Sequence, residues 1–373
     1  MKKYLQKFLI VFLSLLVFYS FLELVARIED RVVNKASFFD PDNEKMGRAL
    51  YEEHPYLPII LKPNGVYESF RINSLGYRGE EFSYKKEPRT FRIVCLGGSV
   101  TWGNAASSNE KTWVFQLGEI LNYRNKQKEI YDGQFEVINA GVPGYTTLEC
   151  LISLNLRVLD LRPDLIIIYE AYNDFKPNRA KGFKGDYSHW RDRRKRPHTS
   201  ILQRSRFYSK LKRRLLSLSF FQKMRKKTNI EIRYDEVISP GIEAFKRNLR
   251  NIIYVARGNG IDVILSTCGM SLNRKNLEER PEKFKNLWGY VPDLTYEGML
   301  DAKLKYNQAI RDVAKEEGVI LVDNAEFIPE SFEYYYDECH LNDKGMNLMA
   351  KNSADAIERF FLAQKIAKVN GSQ

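Results

Sequence analysis

The residue best suited to covalent chemistry in this chain is Ser99. It follows the apolar run 91–96 and stands within Gly97-Gly-Ser-Val-Thr-Trp-Gly103. The surrounding glycines let the backbone turn sharply, which would leave the hydroxyl exposed at the carboxyl end of a strand. A serine in that place is a candidate nucleophile if a base can reach it. The chain offers one in Asp337-Glu-Cys-His340, where a histidine follows an aspartate by three positions.

Two further polar segments also follow apolar runs. Gly141 comes at the end of one run, and Asn173 and Asp174 come shortly after the run 164–169. Ligands of open α/β sheets bind outside the carboxyl ends of the strands. Each segment alone has an ordinary structural explanation, such as side-chain capping of a strand end by Asn-Asp. Their common placement favours a functional site at one edge of a sheet.

Taken together, these blocks resemble the SGNH (GDSL-type) hydrolase superfamily, in particular its membrane-anchored bacterial esterase-like members. The likeness covers roughly residues 90–363. Its four blocks correspond here to Gly97–Gly103, to Gly141, to Ala171–Asp174 and to Asp337–His340. The chain departs from the family pattern at Gly98, where an aspartate is usual, and at Ala171, where a glycine is usual.

The resemblance implies a role for each residue. Ser99 would attack an acyl carbonyl, His340 would pass the serine proton to the leaving alcohol, and Asp337 would orient the imidazole. The oxyanion would be bound by the backbone N–H groups of Ser99 and Gly141 and by the side-chain amide of Asn173. No metal and no other cofactor is implied.

The segments between these blocks alternate between strand and helix patterns. Five short apolar runs predict strands, and helical spacing between them includes a capping box at 146–149. The predicted strands are 91–96, 135–139, 164–169, 261–266 and 319–323, and the predicted helices are 111–123, 146–159, 241–256, 296–317 and 344–362. We expect an α/β fold of flavodoxin-like type, a three-layer sandwich around a mainly parallel five-stranded sheet.

The N-terminus has a different composition. Lys2, Lys3 and Lys7 precede an apolar run from Phe8 to Leu22, and no small-x-small cleavage site follows it. We expect residues 1–27 to be an uncleaved signal anchor, a single transmembrane helix. The lysines would lie in the cytoplasm and the catalytic domain outside it. A cleaved signal peptide and a buried soluble helix are the alternatives.

The remaining boundaries follow from these assignments. Residues 28–90 are expected to form a lead-in segment that packs on the catalytic domain. That domain would span 91–363 and carry a basic insertion at 177–232, and 364–373 would form a tail.

The positive charge of the chain is concentrated in this insertion. From Arg179 to Thr228 there are 18 Lys and Arg against two Asp, a net charge of +16, whereas the whole chain carries +12. Residues 200–227 have the pattern of a basic amphipathic helix. Three roles stay open for this helix. It could contact an anionic membrane surface. It could instead bind an anionic polysaccharide or cover the active site, or it could simply expose its charges to solvent. An extracytoplasmic location argues against nucleic acid.

The four cysteines do not form a metal-ligand pattern. Cys95 lies in a predicted buried strand and is expected to be a core residue. Cys268 and Cys339 could lie near the same sheet edge and pair.

These observations predict a serine ester hydrolase that removes O-acyl groups from a glycan or lipid of the cell envelope. An O-acyltransferase acting on an extracytoplasmic polysaccharide with the same triad is an alternative, because only the acceptor of the acyl group differs. A non-catalytic envelope-assembly protein is a third possibility.

Overall fold

The computed structural model describes residues 2–34, 49–179, 182–190, 205–217, 233–284, 290–291 and 294–370. The chain divides into two compact units, one formed by Met1–Lys45 with Arg193–Glu231 and the other by Met46–Asp192 with Ile232–Gln373. The basic loop 191–196 and both ends of the predicted helix 200–227 lie outside the described residues.

We number the elements in chain order. The strands are β1 (Tyr51–Glu52), β2 (Ile60–Leu61), β3 (Val66–Tyr67), β4 (Phe70–Arg71), β5 (Thr90–Gly97), β6 (Gln134–Gly141), β7 (Leu165–Tyr169), β8 (Asp262–Ser266) and β9 (Ile320–Val322). The α-helices are α1 (Lys2–Asn34), α2 (Ser99–Trp102), α3 (Trp113–Lys128), α4 (Thr147–Ser153), α5 (Arg206–Ser217), α6 (Ser239–Gly258), α7 (Arg274–Glu279), α8 (Tyr296–Glu317), α9 (Asn324–Phe327) and α10 (Asp343–Asn370).

The larger unit is built on a five-stranded sheet in the order β6-β5-β7-β8-β9. Every neighbouring pair is parallel, so all carboxyl ends lie at one edge. Every residue of β7 is buried, as expected for a strand covered by helices on both faces. The predicted α/β fold with a parallel five-stranded sheet is confirmed.

Local signals explain why some predicted boundaries agree with the structure. Helix α8 has the predicted bounds because the Thr295 side chain accepts a hydrogen bond from Gly298 N at its start and Gly318, with φ 60°, ends it. The predicted helix 146–159 instead has three parts, since α4 gives way to a π-helical turn (Leu154–Val158) and a 3₁₀ turn. Helix α10 continues to Asn370, into the predicted tail.

The lead-in segment packs on the sheet and is bonded to it by Arg92 of β5. Residues 49–90 include two short antiparallel pairs, β1–β2 and β3–β4. Arg92 on β5 is buried and donates hydrogen bonds to Ser83 O (2.7 Å) and Tyr84 O (3.1 Å). The first part of the predicted insertion also belongs to the larger unit, because the buried Tyr187 donates to Asp174 Oδ1 at 2.9 Å.

The smaller unit contains α1 and α5. Within Lys3–Glu29 of α1, an 18-residue window has a mean hydropathy of 2.5, and the helix is long and apolar enough to cross a membrane. A signal sequence near the N-terminus satisfies the same criteria of length and composition. Helix α5 packs against α1, and just before α5 begins, Ser205 Oγ accepts a hydrogen bond from Tyr19 OH at 2.7 Å.

Candidate active site

Ser99 begins the short helix α2 immediately after β5. Gly103, with φ 83°, ends this helix, and its N–H donates to Ser99 O at 3.0 Å. Thr101 Oγ1 donates to Tyr169 O at the end of the adjacent strand β7 (2.8 Å), which ties the serine turn to the centre of the sheet. Ser99 therefore lies at the carboxyl end of β5, the position predicted for it.

The Asp337–His340 segment is organised by its own aspartate. Asp337 Oδ1 accepts hydrogen bonds from the backbone N–H groups of Cys339 (3.1 Å) and His340 (2.8 Å). The same carboxylate accepts from His340 Nδ1, with Oδ2 at 2.7 Å. A spacing of three lets one carboxylate close the turn and hold the ring that the turn carries.

These two segments meet in a continuous chain of hydrogen bonds. His340 Nε2 lies 2.8 Å from Ser99 Oγ, while Nδ1 faces Asp337. The side chains of His340 and Asp337 are 16% and 24% exposed, so the chain of bonds is reachable from solvent. Burial alone would raise the pKa of Asp337, but hydrogen bonding and charge attraction from His340 outweigh it and lower that pKa.

Two neighbouring loops hold this segment in place. Ser271, in the loop after β8, donates from Oγ to Asp337 O (2.9 Å) and from its backbone N–H to Glu338 O (3.0 Å). Tyr172, in the loop after β7, donates its hydroxyl to Glu338 Oε1 at 2.7 Å. The position of His340 is thus set by three loops at one edge of the sheet.

The three predicted oxyanion donors differ in their surroundings. The backbone N–H of Ser99 donates to no acceptor within the described part of the chain. The N–H of Gly141 donates to Asn139 Oδ1 at 3.0 Å. The amide Nδ2 of Asn173 donates to Tyr145 O (2.9 Å) and Glu170 Oε2 (3.2 Å). The roles of Gly141 and Asn173 stay predictions, since each donor would have to share or exchange its present acceptor.

Asp174, the neighbour of Asn173, has a structural task. Its carboxylate accepts from Thr147 N (2.9 Å) and Thr147 Oγ1 (2.7 Å), so it caps the start of α4. Burial raises its pKa to about 7, with hydrogen bonds from Thr147 opposing that shift. The two residues of the Asn-Asp pair therefore differ in role: Asn173 belongs to the candidate site, whereas Asp174 caps helix α4.

Groups that could ligate a metal coincide with this site. Among the described residues, ligand atoms of Asp337, Cys339 and His340 lie within 4.8 Å of one another. Both ring nitrogens of His340 already face protein partners. The expectation of no metal and no cofactor stays a prediction. All four cysteines are buried free thiols, so Cys268 and Cys339 are not paired in this structure.

Sequence reasoning missed two buried ionisable residues close to Ser99. Arg78, in the lead-in segment, donates to Trp102 O (2.7 Å) and Gly103 O (2.9 Å), the end of the serine helix. Glu170, directly after β7, accepts from Gly98 N at 2.7 Å. A glutamate immediately after a fully apolar strand was a visible signal, whereas nothing near Arg78 in sequence points to Trp102.

A parallel α/β sheet with polar loops gathered at its carboxyl edge is an architecture found among α/β enzymes. The GDSL-like lipase/acylhydrolase family model matches residues 95–348, more than half of the chain. The chain belongs to this family, and it is a hydrolase acting on esters.

Solved structures with similar folds include members of the same family. The lipase/acylhydrolase from Enterococcus faecalis is 18% identical, with 72% of this chain and 95% of that chain covered and a TM-score of 0.43. A GDSL-like lipase from Bacteroides thetaiotaomicron is 15% identical, covering 72% and 88%, with a TM-score of 0.40. The acetyl xylan esterase AlAXEase is 16% identical, covering 71% and 98%, with a TM-score of 0.41. No curated protein sequence matches the chain significantly.

Proposed function

We propose that Ser99, His340 and Asp337 are the catalytic triad of a serine esterase that removes O-acyl groups from a glycan or lipid of the cell envelope. The observation that carries this proposal is the position of the His340 ring, with Nε2 2.8 Å from Ser99 Oγ and Nδ1 2.7 Å from Asp337 Oδ2. This is the arrangement of nucleophile, base and orienting carboxylate that activates a serine.

In the proposed mechanism, Ser99 Oγ attacks the ester carbonyl and His340 Nε2 takes the serine proton. Asp337 stabilises the imidazolium that forms, and its lowered pKa keeps it ionised for this purpose. The tetrahedral oxyanion accepts from Ser99 N–H and from Asn173, whose longer bond, 3.2 Å to Glu170, is the one an oxyanion would compete for. His340 then protonates the leaving alcohol, and water attacks the acyl-serine.

The test is hydrolysis of acetyl and longer-chain aryl esters by the full chain in detergent. Ser99→Ala should lower turnover by several orders of magnitude without loss of folding. Ser74→Ala, a change at an exposed serine, is the matched control and should keep wild-type turnover. Equal turnover by Ser99→Ala and wild type would refute the serine mechanism.

The same assay distinguishes the esterase from the two alternative functions that the sequence leaves open. With an acylated donor and a glycan acceptor present, an esterase releases free acid, whereas an O-acyltransferase forms acylated glycan. A chain that binds acylated glycan but turns over no ester would favour the non-catalytic envelope-assembly role.

We further propose that α1 is a membrane anchor, that the catalytic domain lies outside the cytoplasm, and that α5 contacts anionic lipid headgroups. The support is the attachment of α5 to the end of the apolar stretch. Glu23 Oε2 accepts from Phe207 N (3.0 Å), and Lys210 Nζ pairs with Glu29 at 2.9 Å. Leu211 and Leu215, 41% and 42% exposed, lie one turn apart on a helix rich in Lys and Arg.

Site-directed labelling tests this membrane contact. All native cysteines are buried, so a fluorophore on Leu211→Cys reports one position of the full chain in nanodiscs. Lipid-attached quenchers should quench it more with phosphatidylglycerol than with phosphatidylcholine, and high salt should reduce the difference. A fluorophore on Leu304→Cys, an exposed position on α8, is the control. Equal quenching at both positions would refute the contact, and protection of the catalytic domain from protease outside spheroplasts would refute the topology.

A further inference from the structure

Glu170 occupies the space where a side chain of residue 98 would stand. A Cβ atom on Gly98 would lie 2.2 Å from Glu170 Oε2 and 2.3 Å from Asn173 Nδ2. Both distances are far below van der Waals contact, so a side chain at position 98 would force the Glu170 carboxyl and the Asn173 amide to move. The family usually carries an aspartate at this position, and the glycine here is one of the two departures noted in the sequence.

The Glu170 carboxyl joins the serine turn to the loop that carries Asn173. Its Oε2 accepts from Gly98 N at 2.7 Å and from Asn173 Nδ2 at 3.2 Å, and its Oε1 accepts from Asn173 N at 2.9 Å. The side chain is buried. Burial raises the pKa of Glu170 to about 8, with the charge of Asp174 acting in the same direction and the N–H donors opposing it.

We propose that Glu170 is a positioning residue of the active site: its buried carboxyl, directly after strand β7, joins the serine turn to the loop that carries Asn173. Through Gly98 N–H it holds the peptide that leads into Ser99, and through Asn173 N–H it holds the backbone of the residue that carries the amide donor. Because β5 and β7 are adjacent parallel strands, a residue just after β7 reaches the turn just after β5. The inference rests on the proposed roles of Ser99 and Asn173.

Replacement by glutamine isolates the positioning role because it keeps the size of the side chain. The amide nitrogen of Glu170→Gln would face an N–H donor at whichever carboxyl oxygen it replaced, so at least one of the three bonds is lost. Small displacements of reacting groups are costly, and we expect kcat to fall about tenfold to a hundredfold with KM nearly unchanged. Glu149→Gln is the matched control, since Glu149 is also a buried glutamate and glutamine also forms a capping box.

An exchange of the two positions gives the sharpest test. Gly98→Asp and Glu170→Ala should each lower kcat, and the double variant should recover at least part of it because the carboxyl is returned to the serine block. A kcat of Glu170→Gln equal to that of wild type, or a double variant no better than either single variant, would overturn the proposal.

A stability cycle keeps this test separate from the proposed esterase activity. Gly98→Ala should lower Tm in the wild-type chain, where its Cβ meets Glu170, and should lower it less in the Glu170→Ala background. Equal Tm losses in both backgrounds would overturn the inference even in an active enzyme. An inactive wild type that shows the expected coupling would instead refute only the proposed function.

Discussion

Replacement of Arg78 by methionine should destabilise the protein and slow the enzyme together. Arg78 is buried and donates to Trp102 O (2.7 Å), Gly103 O (2.9 Å) and Asn109 Oδ1 (3.0 Å). Its guanidinium lies 4.6 Å from the centre of the Trp102 ring. Methionine keeps most of the apolar contact but removes the hydrogen bonds that Arg78 donates at the end of the helix that begins with Ser99.

The expected magnitude follows from the three hydrogen bonds that are lost. Each acceptor keeps a second donor, because Asn139 Nδ2 donates to Trp102 O (3.3 Å), Ala106 N to Gly103 O (3.0 Å) and Arg71 N to Asn109 Oδ1 (3.4 Å). The cost is therefore that of lost hydrogen bonds, about 1 kcal/mol each, and not that of orphaned buried acceptors. Part of this loss is offset because burial of the cation is itself unfavourable. That burial lowers the pKa of Arg78 to about 9, while the charges of Tyr51 and Glu110 oppose the shift. We expect a net loss of about 1–3 kcal/mol in the free energy of unfolding.

Thermal unfolding and ester turnover measure the two consequences. In a domain of this size class each kcal/mol corresponds to about 2–4 °C, so Tm should fall by about 6 °C. Arg89→Met is the matched control, because Arg89 is an exposed partner of Asp132 and its loss should cost less than about 1 kcal/mol. A Tm for Arg78→Met within 2 °C of the control, together with unchanged kcat, would show that the guanidinium does not hold the serine helix.

Three further outcomes are expected. Asn173→Ala should lower kcat more than it raises KM, since an oxyanion donor acts mainly in the transition state; a change in KM alone would make it a ground-state contact. Tyr172→Phe should lower Tm and kcat in a melting and turnover comparison, because Glu338 loses its buried donor; unchanged values would exclude this support of the His340 loop. Burial raises the pKa of Glu170 to about 8 and that of Asp174 to about 7, so the folded protein keeps protons that the unfolded chain releases above about pH 4. The free energy of unfolding should therefore fall as pH rises from about 5 to 8, and Glu170→Gln should show a shallower fall in denaturant titrations; equal slopes would contradict the raised pKa.

The sheet and most helices could be predicted because their signals are local. Apolar runs mark β5 to β9. Thr295 and Gly318 mark the two ends of α8. The Asp-x-x-His turn is equally local, since one carboxylate bonds atoms two and three residues later. Where a boundary was wrong, as in the helix 146–159, the backbone changed from α to π geometry without a glycine or proline to signal it.

The supports of the site could not be predicted because they join residues that are distant in sequence. Glu170 bonds the N–H of a residue 72 positions away, and Ser271 bonds a carbonyl 66 positions away. Such pairs depend on which loops lie side by side once the strands are ordered β6-β5-β7-β8-β9. The sequence contains the strands but not that order, so it could place the blocks at one edge of a sheet but could not show which loops lie side by side.

This distinction between acting and supporting residues makes the proposals separable by experiment. Ser99 contributes its hydroxyl to the reaction, and its loss leaves the turn with all of its backbone bonds. Arg78 contributes the donors that end the serine helix, so its loss must appear in both Tm and kcat. Glu170→Gln keeps the volume of a buried side chain and changes one donor–acceptor match, so its effect should appear mainly in kcat. A set of variants in which kcat and Tm always fell in proportion would mean that the active site has no positioning residues distinct from the residues that keep the chain folded.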